Sequence, residues 1–203
     1  MPNKGMVESV NVIGLTGGVG AGKSLVLSIL RTKYNAEVIE ADKVAHELML
    51  PGEDGYLRVK ETFGETILNP DGTINRTALG KVIFENESAR EQVNSIIHPL
   101  VWKRIRQKIS ASQAGLIVVE FAIMGEEAED IYDEMWYVHA FEEVRIRRLS
   151  ENRGYTKERS EQIIRSQASE QEYVRRCDRI IENNGSIADL ENQLAEILKT
   201  GDR

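Results

Sequence analysis

The stretch Gly14-Leu15-Thr16-Gly17-Gly18-Val19-Gly20-Ala21-Gly22-Lys23-Ser24 decides the fold. It follows an apolar run, Val10 to Leu15, and opens an amphipathic one, Leu25 to Leu30. From Gly17 it reads G-x-x-x-x-G-K-S, a phosphate-binding loop in the strand-then-helix setting that such a loop requires. Glycines at 17, 18, 20 and 22 permit positive φ and close approach. Successive N–H groups along Gly17, Gly18, Val19, Gly20, Ala21 and Gly22 can therefore turn toward phosphate oxygens. A helix opening near Lys23 adds its partial positive end. Lys23 would reach the β- and γ-phosphates, and the Ser24 hydroxyl would ligate Mg²⁺.

The whole chain sets limits on what surrounds that loop. Its 203 residues, 41% hydrophobic and 29% charged, suit one compact unit of an ordinary globular protein. A net charge of −7 argues against a nucleic-acid surface. Cys177 is the only cysteine, which rules out an intrachain disulfide and fits a reducing compartment. No run reaches the length of a membrane span, and Met1 to Glu8 reads as a loose leader, so a cytoplasmic protein is expected.

Taken in order, Leu25, Leu27, Leu30 and Tyr34 mark a first helix, and Glu37 to Ala41 a second strand with Asp42 at its end. A strand, helix, strand unit of this length predicts a parallel sheet, with ligands at the carboxyl ends of its strands. From Lys43 to about Gly115 the chain reads as helices punctuated by turns at Pro51-Gly52 and Asn69-Pro70-Asp71-Gly72. Asn75 and Asn86 are expected caps, and Pro99 an end or kink of a helix. Strands return at Leu116 to Phe121, Met135 to His139 and Arg179 to Ile181. Helices are expected over Glu142–Ser150 and Thr156–Arg176, and beyond a Ser186 cap, where Ile187, Leu190, Leu194, Ile197 and Leu198 form one stripe.

Between Arg145 and Arg179 stand nine arginines and one lysine against six acids. Glu161 with Arg165 and Glu172 with Arg176 are spaced as exposed helical pairs. Arg145, Arg147, Arg148 and Arg153 crowd one stretch, and either form a lid over a triphosphate or lie on a solvated face. The predicted fold is α/β: a phosphate-loop kinase-like parallel sheet of five strands flanked by helices, with an inserted helical domain and a helical lid. The core would comprise 1–41, 115–144 and 177–203, the insertion 42–114 and the lid 145–176.

No Asp is followed three places later by Gly, and the one Asn-Lys, at positions 3 and 4, runs on to Gly5-Met6, so the signatures of a GTP switch are missing. A small-molecule kinase, closing over two substrates, fits better. Here the chain resembles the dephospho-coenzyme A kinase family nearly end to end. The loop, Glu40-Ala41-Asp42 with Pro51-Gly52, Phe63-Gly64, Asp71-Gly72, Ile97-His98-Pro99, Gln167, and Asp178 through Asn184-Gly185 fall in that family's order. Two segments depart from it. The family's Asp-Val-Pro-Leu-Leu-Phe-Glu is here Glu120-Phe121-Ala122-Ile123-Met124-Gly125-Glu126, and the lid turn at Asn152-Arg153-Gly154-Tyr155-Thr156 is shifted by one.

The resemblance implies ATP-dependent phosphorylation of the ribose 3′-hydroxyl of dephospho-coenzyme A, with ATP and Mg²⁺ as cofactors and no nucleic-acid or membrane partner. A monomer or weak homo-oligomer is expected. A kinase of a nucleoside monophosphate or another small hydroxyl acceptor is the alternative. Asp42 is the candidate for accepting the hydroxyl proton, its other reading being a helix N-cap. Lys23 and Arg148 complete the catalytic set. Asn184 approaches the adenine or merely turns the chain. Glu120 supports Mg²⁺ through water, unless Glu126 does so. His98, Arg76 and Arg104 are the candidate substrate contacts; His46 and His139 read as structural. Tyr56, Phe63, Phe84 and Trp102 line a pocket or, as helical spacing favours, a core.

Overall fold

The computed structural model describes residues 11–121, 128 and 130–200. The leader, Glu126 and most of the segment that departs from the family pattern lie outside them. The first strand, β1 (Asn11–Thr16), is the centre of a sheet to which β2 (Glu37–Glu40), β3 (Leu116–Glu120), β4 (Glu134–His139) and β5 (Arg179–Glu182) belong, in the order β2-β3-β1-β4-β5. β1 runs parallel to both β3 and β4, with Ile13 opposite Val118 on one side and Glu134 on the other. Helices lie against both faces of such a sheet, which explains why β1 and β3 carry continuous apolar runs rather than alternation. Leu15, Ile117, Val118, Val119 and Val138 are fully buried. α1 (Lys23–Tyr34) and α9 (Ile187–Thr200) cover the sheet through Val26, Leu30, Leu190 and Leu194.

Carboxylates fix where the strands begin. Asp133 Oδ2 accepts the Val12 N–H at 2.8 Å, and Asp178 Oδ2 accepts the Met135 N–H at 2.7 Å. Glu134 takes the Arg179 guanidinium in a fork at 2.7 and 2.8 Å, and that pair holds its carboxyl below the ordinary value.

The chain divides into two compact units, the first reaching to Val38 and resuming at Gln113, the second Ile39–Ser112. The second unit holds α2 (Ala41–Leu48), α3 (Asp54–Phe63), a single 3₁₀ turn (Glu65–Ile67), α4 (Arg76–Glu85) and α5 (Glu87–Ala111). α5 is its spine: α2, α3 and α4 each pack on it, over Val93, Ile97, Val101, Trp102 and Ile105. Both expected asparagine caps form, Asn75 Oδ1 accepting the Ala78 N–H at 2.9 Å and Asn86 Oδ1 that of Ala89 at 3.1 Å. The remaining helices, α6 (Glu142–Arg153), α7 (Lys157–Arg165) and α8 (Glu170–Arg176), belong to the first unit.

Several expectations are corrected. Pro99 neither ends nor splits its helix, because burial on both sides of it outweighs the one hydrogen bond a proline removes. That helix stops at Ala111, not Gly115. Thr156 to Arg176 is two helices, since Ser169 and Glu172 form a capping box that starts α8 afresh. Asp42 is not a cap; Glu40 holds that position and Asp42 sits exposed in the first turn of α2. Phe84 is 92% exposed and Ile187 57% exposed, so neither is core, whereas Tyr56 and Trp102 are buried.

Two predictions follow from burial. Thr16 is fully buried and its Oγ1 has no hydrogen-bond partner among the described residues, so Thr16→Val should leave stability unchanged or raise it by about 1 kcal/mol in thermal unfolding. A loss of several degrees in midpoint would mean that the hydroxyl is partnered. Burial pushes the Cys177 thiol up to about 11, against an ordinary 9.0. At pH 8 its thiolate fraction is then about 100-fold below that of an ordinary exposed thiol, and iodoacetamide should label it correspondingly slowly until the protein is unfolded.

Candidate active site

The loop Gly17 to Gly22 leaves β1 and enters α1 without a side-chain cap, and Gly22 takes the N-cap position with φ +95°. A chain that aims its N–H groups at one point sends its carbonyls elsewhere, and here every carbonyl has a donor. Gly17 O accepts from Lys23 Nζ at 2.8 Å, and Gly18 O from the Ala21 N–H at 3.1 Å. Val19 O accepts from Arg145 Nε at 2.8 Å. Arg148 Nη1 reaches Gly20 O at 3.5 Å and Ala21 O at 3.1 Å. Ala21 O also takes the Asn183 Nδ2 hydrogen at 2.8 Å, a buried bond. Gly22 O accepts the Leu25 and Val26 N–H groups at 3.0 and 3.3 Å. The N–H groups of Gly20, Gly22, Lys23 and Ser24 have no hydrogen-bond partner among the described residues. Four such N–H groups at the opening of a helix are able to bind an anion.

Charge is arranged around the same loop. Lys23 Nζ stands 3.5 Å from Glu120 Oε1, at the end of β3. Arg145 and Arg148, three apart on α6, share its loop-facing side, while Arg147 and Arg153 are exposed. Desolvation holds both loop-facing guanidiniums below their ordinary value, and they remain cations. The lid reading is thus modified. Arg145 and Arg148 grip loop carbonyls, and Arg148 Nη2 also donates to Asn183 O at 2.9 Å.

Asn184 is engaged at both ends of its amide. Its Oδ1 accepts the Phe141 N–H at 2.7 Å and its Nδ2 donates to Glu182 Oε2 at 2.8 Å. That carboxylate also lies 2.7 Å from His139 Nδ1, in keeping with a structural His139. The sequence reads Asn183, with Asn184 and Gly185, as approaching the adenine or as a simple turn, and gives Gln167 no role. Gln167 Oε1 accepts both the Val19 N–H at 3.0 Å and Arg145 Nη2 at 2.7 Å. Its one sequence signal was its place in the family order.

The second unit contains Asp42, His98, Arg76 and Arg104. Arg104 is bound to Glu53 at 2.7 Å, and His98 is half-buried on α5. Arg76 Nη1 lies 3.3 and 3.4 Å from the two ring nitrogens of His46, at the wall of a cavity of about 380 Å³ lined by Met49, Leu50, Leu79 and Ile83. His46 is therefore placed beside a cationic partner and a cavity, which its reading as a structural residue did not foresee. Among the described residues no three His, Cys, Asp or Glu side chains gather to hold a metal, and no helix is long and apolar enough to cross a membrane.

The strand order and the fastened loop place the first unit among the phosphate-loop kinases. A family model described as dephospho-CoA kinase matches residues 11–189. The dephospho-CoA kinase of Carboxydothermus hydrogenoformans is 38% identical over 192 residues, 93% of each chain. A crystal structure from Thermus thermophilus is similar with a TM-score of 0.79 and 28% identity, over 94% of this chain and 97% of that one. The dephospho-CoA kinase of Campylobacter jejuni shares the fold, with a TM-score of 0.67 and 21% identity over 93% and 96% of the two chains. The chain belongs to the dephospho-CoA kinase family.

A Cβ on Gly22 would overlap Asn183 Nδ2 and stand 3.4 Å from Arg148 Nη1, at a φ that side chains avoid. Gly22→Ala should lower ADP affinity at least ~10-fold by calorimetry and depress the unfolding midpoint, from about 1–3 kcal/mol of backbone strain plus the displaced amide. Unchanged affinity would show that the Asn183 bond does not shape the loop.

Proposed function

We propose that Asp42 accepts the proton of the acceptor hydroxyl while the loop amides, Lys23 and Arg148 hold the nucleotide for in-line transfer. The reaction is the ATP-dependent phosphorylation of dephospho-CoA, the last step of coenzyme A biosynthesis. One observation carries the nucleotide half of this reading: loop N–H groups left for an anion while all the carbonyls are fastened. Phosphoryl transfer has a loose transition state, so catalysis is largely positioning and neutralisation of charge. Lys23 can leave the Gly17 carbonyl for a phosphate oxygen, and Glu120 beside it limits where the ammonium rests. Asp42, exposed in the first turn of α2, is assigned the ribose 3′-hydroxyl on the family resemblance.

Mg²⁺ would come with the nucleotide, on the exposed Ser24 hydroxyl, with Glu120 supporting its water shell. Ser24 lies in the first turn of α1 and its side chain is exposed. Bound there, the ion would neutralise charge between the β- and γ-phosphates. For the substrate pyrophosphate we favour Arg76, which borders a cavity, over Arg104, whose guanidinium is committed to Glu53; His98 stays a candidate contact. Residues 42–114 would then be the acceptor domain and 145–176 the lid. Asn184 would reach the adenine through its backbone, its side chain being otherwise engaged. A cytoplasmic monomer or weak homo-oligomer completes the reading.

Asp42→Asn should leave ADP affinity unchanged and lower kcat by about 10²–10⁴; near-normal turnover would remove Asp42 from the role. In an ADP-release assay across hydroxyl acceptors, activity should be confined to dephospho-CoA, and preference for a nucleoside monophosphate would overturn the substrate assignment.

A further inference from the structure

Val19 differs from the rest of the loop in that both of its backbone groups are held by side chains from far along the chain. Its N–H goes to Gln167 Oε1 at 3.0 Å, and its carbonyl takes Arg145 Nε at 2.8 Å. Arg145 Nη2 donates to the same Gln167 oxygen at 2.7 Å, closing a ring of three residues. The amide oxygen thereby uses both of its lone pairs, and the guanidinium fork is read at two positions. Gln167 itself sits on the turn between α7 and α8, where its N–H donates to Ile164 O at 3.2 Å. A Cβ on Gly18 would overlap the Arg145 guanidinium, and one on Gly20 would lie 3.0 Å from the Arg145 carbonyl. The two glycines let α6 approach the loop that closely.

We infer that Gln167 is a positioning residue for nucleotide binding: with Arg145 it clasps the Val19 peptide, so that the α7–α8 segment sets the loop's affinity for phosphate. The inference rests on the ATP reading of the loop. The clasp touches none of the phosphate-facing N–H groups. It acts by fixing the peptide from which the Gly20 and Gly22 donors fan out. A shape that favours nucleotide must in turn be favoured by nucleotide, since coupling between sites is reciprocal. ADP should therefore tighten the turn at Ser166 to Ala168, some distance along the chain from anything it binds.

The test uses the full-length protein and two variants. Gln167→Leu keeps the bulk and loses the acceptor; Gln167→Glu keeps an acceptor for both donors. Calorimetry with ADP should show affinity falling about 10-fold in Gln167→Leu, and recovering to within about 3-fold of wild type in Gln167→Glu. The KM for dephospho-CoA should stay put in both, while the unfolding midpoint falls slightly in Gln167→Leu, which strands the Val19 N–H and the Arg145 guanidinium. ADP should slow amide exchange over 166–168 in wild type but not in Gln167→Leu. Unchanged ADP affinity in Gln167→Leu would overturn the inference. So would equal losses in the Leu and Glu variants, or an ADP-insensitive turn in wild type. A wild-type protein that binds ADP but leaves dephospho-CoA unphosphorylated would overturn the substrate assignment and leave these binding readouts intact.

Discussion

A loop that points its amides inward must find partners for its carbonyls outward, and this requirement organises the first unit. Lys23 is the only side chain within the loop that serves it, taking the Gly17 carbonyl. The other side-chain donors, Arg145, Arg148 and Asn183, arrive from α6 and from the turn after β5. The sheet order then has a purpose. β1 lies beside β4, and β4 beside β5, so the segments that leave β4 and β5 both emerge next to the loop that leaves β1. Strand-start carboxylates Asp133 and Asp178 keep those neighbours in register.

The same requirement explains the arginine-rich stretch. A polar group buried without a partner costs more than a made hydrogen bond contributes, so fastening carbonyls in a half-buried site calls for strong donors. A guanidinium can serve several acceptors from one side chain, and Arg148 does so for Gly20, Ala21 and Asn183. The cations also leave net positive charge beside an anion site in an acidic protein.

Much of this was legible in the sequence. The apolar runs at 116–119 and 135–138, the loop from Gly17 and the Asn75 and Asn86 caps are local signals, and the structure keeps them. What was not legible depends on packing. Pro99 lies mid-helix because α5 buries one face on both sides of it, which no local rule weighs. Phe84 is exposed although its spacing suited a core. At the site, Arg145 and Arg148 were visible as a cluster, but which arginines face the loop depends on how α6 docks. Asn183 and Gln167 were invisible as loop partners because their bonds span 162 and 148 positions of the chain. The segment Ala122 to Gly125 departs from the family pattern and lies, with Glu126, outside the described residues.

Those spans bear on how the protein is made. Synthesis delivers Ala21 162 positions ahead of Asn183, with α6 and Gln167 between. The loop motif is present first, but the donors that give it shape are complete only once Asn183 has been added. Pairing over such separations is slow to form because distant segments must first be brought together. A nascent chain halted before β5 would carry the full glycine-lysine signature and still lack a shaped anion site. Nucleotide binding thus reports that synthesis has passed β5, as well as the fold.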